Sequence, residues 1–103
     1  MKFRTNPSFV SDFAALPSGH QKMFRDRMKE FLDGCDKWAG SGAASDAWPG
    51  NLRVHRLINS NLWSMTWHYR RPDGRAVFEF FEDSGETKVR WLRIGGHEIY
   101  DEA

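Results

Sequence analysis

The run Arg93-Ile94-Gly95-Gly96-His97-Glu98-Ile99-Tyr100 brings a guanidinium, an imidazole and a phenol close together along the chain. Such a set can break a phosphodiester without a metal. A base removes the 2′-OH proton, an arginine stabilises the crowded phosphate, and an acid protonates the leaving oxygen. Histidine suits proton transfer near neutral pH. The same residues also have a purely structural reading, in which Gly95-Gly96 is a bend, His97 caps a strand end and the Tyr100 ring closes the core.

A second concentration of charge lies upstream. Between positions 53 and 75 stand Arg53, Arg56, Arg70, Arg71 and Arg75 against Asp73 alone, a local balance of +4, with His55 and His68 interleaved. Arginine suits a phosphodiester because its planar fork makes two parallel charge-assisted hydrogen bonds to phosphate oxygens. The structural alternative makes Arg70 and Arg71 a solvated turn. The whole chain has fifteen Lys and Arg against fourteen Asp and Glu, a net charge of +1. That balance excludes a polycation that binds nucleic acid by bulk charge.

Other chemistries find little support. His20, His55, His68 and His97 lack the close helical spacing of a metal pair, so no metal and no cofactor is expected. Cys35 stands between Asp33 and Asp36, whose charges disfavour a thiolate nucleophile. As the single cysteine it has no disulfide partner within the chain, and the expectation is a reducing, cytoplasmic setting. No phosphate-cradling glycine loop follows a strand pattern. The start of the sequence lacks a signal-peptide apolar stretch, no run is long enough to span a bilayer, and no membrane role is expected.

These groups must be positioned by a small scaffold. The 103 residues allow one domain, residues 1–103, and the 15% aromatic content is ample for its core. Lys2 to Thr5 alternates as a short strand. Asn6-Pro7 supplies an N-cap and a proline at the first helical position. Phe9, Val10, Phe13, Ala14 and Leu16 share one side of that helix, which Pro17 stops. Ser18 and Gln21 have capping-box spacing and open a second helix, with a stripe of Phe24, Met28, Phe31 and Leu32, ending at Asp33-Gly34.

Residues 35–51 read as a loop, and from Leu52 the pattern changes to period two. Strands are predicted at 52–58, 62–69, 75–81 and 88–94, joined by tight turns at Asn59-Ser60-Asn61, Pro72-Asp73-Gly74 and Asp83-Ser84-Gly85. The expected fold is α+β, in the order β-α-α-β-β-β-β, with a helical hairpin packed on one face of an antiparallel sheet and the other face open for function. Alternation puts Trp63, Met65 and Trp67 on one side of their strand and Ser64, Thr66 and His68 on the other, so that His68 and Arg75 share a surface.

This layout, with Leu52-Arg-Val-His-Arg-Leu, Leu62-Trp-Ser-Met-Thr-Trp, Asp73-Gly-Arg-Ala-Val-Phe-Glu-Phe and Trp91-Leu-Arg-Ile-Gly-Gly-His-Glu-Ile-Tyr100, resembles the RelE/ParE toxin superfamily, and within it the RelE-like mRNA interferase branch. The likeness of architecture covers nearly the whole chain. It implies a toxin of a type II toxin–antitoxin system, a metal-independent endoribonuclease that cuts mRNA at the ribosome. The partners it implies are a cognate antitoxin, docked on the helical hairpin or the sheet edge, together with mRNA and the ribosome. Gly74-Arg75-Ala76-Val77-Phe78 is similar to the family segment whose arginine stabilises the scissile phosphate. Arg93, His97 and Tyr100 fall where relatives place their C-terminal basic and acid/base residues, with either His97 or Tyr100 as the base. Arg53, His55, Arg56 and His68 are the expected RNA-binding set. Where RelE carries lysines on its central strand this chain has Ser64 and Thr66, which favours the histidine-containing variant. Two other readings stay open: a ParE-like toxin that poisons gyrase, and a catalytically inactive binding module with the family fold.

Overall fold

The computed structural model describes residues 1–42, 47–68 and 73–96. A strand, Phe3–Thr5 (β1), leads into two helices, Pro7–Ala15 (α1) and Ser18–Gly40 (α2). A short 3-10 turn, Gly50–Leu52, precedes four strands: His55–Arg56 (β2), Trp63–His68 (β3), Gly74–Asp83 (β4) and Glu86–Gly95 (β5). They form one five-stranded sheet in the order β1-β5-β4-β3-β2. The meander β2 to β5 is antiparallel as expected, and β1 adds to it parallel to β5, with Phe3, Arg4 and Thr5 opposite Val89, Arg90 and Trp91. Among the described residues no helix is long and apolar enough to cross a membrane.

Local signals explain where α1 begins and ends. The Asn6 side chain accepts a hydrogen bond from the Phe9 N–H at 2.9 Å, and Pro7 contributes its preset φ to the first turn. Leu16, held extended by Pro17, ends the helix. Ser18 is already helical and Pro17 is the residue that flanks α2, so the expected capping box does not form. Gln21 instead donates to the carbonyls of Phe13 and Leu16 at 2.9 and 3.3 Å, tying the end of α1 to the start of α2.

Helix α2 runs through Asp33-Gly34 to Gly40. Gly34 serves close packing where a stop was expected. A Cβ built there would lie 2.7 Å from Cγ and Nε1 of Trp48. The indole takes the vacant space and donates from Nε1 to the Phe31 carbonyl at 3.1 Å. Glycine's helical cost is thereby offset by burial of Trp48, which keeps 8% of its surface exposed.

Two linked aromatic groups fill the core between helices and sheet. Phe9, Phe24, Phe31, Phe78 and Trp91 pack with ring centroids 4.9–5.8 Å apart. Trp38 stacks on Phe80 at 4.2 Å and meets Trp48 and Trp63. Cys35 is fully buried beside them, and desolvation, far more than the charge of Asp36, pushes the thiol up to about 12. The native protein is therefore expected to resist a thiol reagent at pH 8 and to react once denatured; fast native labelling would contradict this. Because the unfolded thiol ionises near 9, folding stability is expected to fall by up to ~1.4 kcal/mol per pH unit above that point, as read by denaturant titrations at pH 8 and 10.

The expected strand at 52–58 shrinks to two residues. Leu52 is fully buried, the 3-10 turn carries it into the core, and Arg53 leaves that turn in the left-handed region at φ 46°. Arg56 then holds the β2–β3 turn, with Nε donating to the Ser60 carbonyl at 2.8 Å and Nη2 to Asn61 Oδ1 at 3.1 Å. The β4–β5 turn is the tight one predicted, with Ser84 and Gly85 both at positive φ, as a type I′ hairpin needs.

Arg93 joins helix to sheet. Its Nε and Nη2 donate to the two carboxylate oxygens of Asp12 at 2.6 and 3.0 Å, and the Ile94 N–H donates to the same carboxylate at 3.1 Å. Where β1 has ended, this α1 carboxylate continues the edge of β5. Asp12→Ala strands a partly buried guanidinium and a strand N–H, so a loss of about 2 kcal/mol in urea unfolding is expected. An unchanged midpoint would show the pair to be energetically idle.

Candidate functional site

Register places the candidate site at one end of the sheet, where β3 finishes, β4 begins and β5 finishes. Arg75 lies opposite Thr66 on β3 and Gly95 on β5. Its face is the one turned away from the helices, since Met65, Ala76 and Ile94 on the other side belong to the main core. The Arg75 side chain is only 13% exposed and Nη2 donates to Asp73 Oδ2 at 3.2 Å. Arg53 reaches the same oxygen at 3.5 Å from the loop before β2, with 54% of its side chain exposed. Two guanidinium groups thus share one carboxylate and leave the trio with one net positive charge. Arg75 Nε is buried and has no hydrogen-bond partner among the described residues.

Nearby, the His55 Nδ1 donates to the Arg53 carbonyl at 2.8 Å. His55 is exposed, and β2 pairs it with Ser64. Arg56 is exposed but engaged in its own turn. On β5, Arg93 pairs with Val77, so Arg75 and Arg93 are diagonal neighbours in the register, although the Arg93 guanidinium is drawn to the α1 carboxylate. The centre of this face is not open as expected. Ser64, Thr66 and Val77 have no exposed surface, the short Ser64 and Thr66 side chains lying opposite the longer His55 and Arg75.

His68 does not share the Arg75 surface. A bulge between Thr66 and His68 shifts the β3–β4 register by one residue, and His68 pairs with Gly74. Its ring therefore turns towards Trp67, with centroids 5.7 Å apart, and towards His20 on α2 at 4.8 Å. These rings line a cleft of about 190 Å³ whose other wall includes Asp73, Gly74 and Gly95. His20 was not among the residues expected at a site, and nothing in its sequence neighbourhood announces a partner on β3. Arg70, Arg71, His97 and Tyr100 lie outside the described residues. Among those described, no group of three or more His, Cys, Asp or Glu is placed to hold a metal.

No protein-family model and no curated protein matches the chain. Among solved structures it is similar to the YoeB/ParE toxin from Agrobacterium tumefaciens, with a TM-score of 0.54 at 15% identity, over 94% of this chain and 99% of that one. The chain has the RelE/ParE-type toxin fold. Within that fold, Arg75 and Arg53 form the cationic end of the sheet, Arg93 is tied to α1, and His68 stands with His20 in the adjoining cleft.

Proposed function

We propose that the chain is the toxin of a type II toxin–antitoxin pair, and that it cuts mRNA at the ribosome in the cytoplasm as a metal-independent endoribonuclease. The observation that carries this reading is the half-buried Arg75 guanidinium, held at the start of β4 opposite Gly95, which stands two residues before His97 in the chain. A guanidinium fixed beforehand and shielded from water stabilises a crowded phosphate better than one that must be ordered during reaction. Arg75 would take the scissile phosphate in its fork, displacing Asp73 in part. Arg53 and Arg56 would bind flanking phosphates, with His55 and His68 contacting the RNA beside them. Of His97 and Tyr100, one would remove the 2′-OH proton as that oxygen attacks phosphorus, and the other would protonate the departing 5′ oxygen. Arg93 would add charge from its anchored position. The implied protein partner is an antitoxin docking on the α1–α2 hairpin or at an edge strand.

A second reading, a binding module without cleavage, draws on Arg93, whose fork already holds the Asp12 carboxylate. Controlled expression in a bacterial host, with growth followed and transcript 5′ ends mapped, separates the readings. Growth arrest with new 5′ ends inside translated codons is the expected result. Arrest with intact transcripts and DNA damage signalling would replace it with gyrase poisoning, and unhindered growth with the binding module.

A further inference from the structure

The cleft between α2 and the end of β3 is unlike the rest of the surface. Three aromatic rings from two elements meet there: His20 lies 4.8 Å from His68 and 5.7 Å from Trp67. Both imidazoles are half-buried, so each keeps part of its surface for another group, while Trp67 is 2% exposed and forms the floor. Gly74 allows this closeness, since a Cβ there would lie 2.6 Å from Trp67 Cε2 and 2.7 Å from His68 Cβ. The indole Nε1, bonded to that same Cε2, has no acceptor among the described residues. At about 190 Å³ the cleft is smaller than the ~300–1,000 Å³ usual for drug-sized ligands, which suits one planar ring system.

We propose that this cleft is a nucleobase pocket: a single base of the RNA inserts against the His20 and His68 rings while the adjoining phosphate lies on Arg75 and Arg53. The proposal rests on the ribonuclease reading above and adds to it a subsite for one base. Placement supports it, because Asp73, the carboxylate that holds both arginines, also lines the cleft, so base and phosphate sites share a wall. Chemistry supports it as well. Any base offers a π face to a ring platform, and a neutral imidazole adds one donor and one acceptor for the base edge. A metal ion is a poorer occupant, since among the described residues only two imidazoles converge without a third ligand.

The test compares His20→Ala and His20→Gln, which remove the ring, with His20→Phe, which keeps it. Each variant's fold is checked by thermal melting, and the two ring-less variants guard against one of them failing to fold. Transcript 5′ ends are mapped for each after expression. The wild type is expected to cut with a base preference at one position beside the scissile phosphate. The ring-less variants are expected to cut about 5- to 100-fold more slowly, in keeping with the loss of one base–aromatic stack, and to lose that preference. His20→Phe should restore most of the rate. Unchanged rate and preference in a folded ring-less variant would overturn the pocket alone. No cuts by the wild type would overturn the pocket together with the ribonuclease reading beneath it.

Discussion

Arg75→Ala is expected to slow transcript cleavage by about 100- to 1,000-fold, the loss associated with removing one donor aimed at transition-state charge. The size follows from placement. Arg75 is 13% exposed, is anchored on a strand paired on both sides, and has Asp73 holding its fork in place. Its reorganisation during reaction is therefore small, and its charge acts where water screens it weakly. Folding should suffer much less. Asp73 retains Arg53 at 3.5 Å, so the stability cost is expected to be about 1 kcal/mol, a fall of ~4–8 °C in Tm. The check is the rate at which new 5′ ends accumulate on a translated reporter, beside a melting curve. Equal rates in a folded Arg75→Ala protein would remove Arg75 from the reaction. Arg75→Lys keeps the charge and loses the fork, and an intermediate rate is expected from it.

Gly34→Val is expected to cost about 3–5 kcal/mol, comparable to losing a buried aromatic side chain. An exposed helical glycine replaced by alanine usually gains ~0.5–1 kcal/mol, so the sign here comes from tertiary contact alone. Trp48 fills the space above Gly34, hydrogen-bonds the Phe31 carbonyl and packs on Trp38 and Trp63, with centroids 6.3 and 5.8 Å away. A valine would expel the indole and open that aromatic group to water. Against a typical total of ~5–15 kcal/mol this removes a large share of the stability, and denaturant titration would show it as an earlier midpoint. Gly34→Ala should cost less, about 1–3 kcal/mol. A Gly34→Val midpoint equal to wild type would show that Trp48 repacks freely.

The path from sequence to site was legible in parts. The run of positive charge between positions 53 and 75 was visible, but that Arg75 and Arg53 meet on Asp73 is a finding of the structure. Alternation puts His68 on the wrong face because it assumes an unbroken ladder, and the bulge after Thr66 reverses it. His20 was invisible as a site residue because its partners, Trp67 and His68, lie on β3. The strand predicted at 52–58 shrinks to His55–Arg56, because Leu52 is buried by a 3-10 turn and Arg53 leaves it in the left-handed region.

What the sequence determined alone is local. Asn6-Pro7 starts α1, Pro17 separates the helices, Ser84-Gly85 turns β4 into β5, and the alternating apolar residues mark β3 and β4 as strands. These features depend on φ preferences, caps and side-chain period, which act within a few residues. Tertiary structure decided that α2 continues past Gly34, that β1 joins β5 in parallel, that Arg93 is held by Asp12, and that two histidines from different elements form one cleft. Each of these depends on which distant surface arrives to fill a space or pair a charge, and that is settled only when the whole core packs.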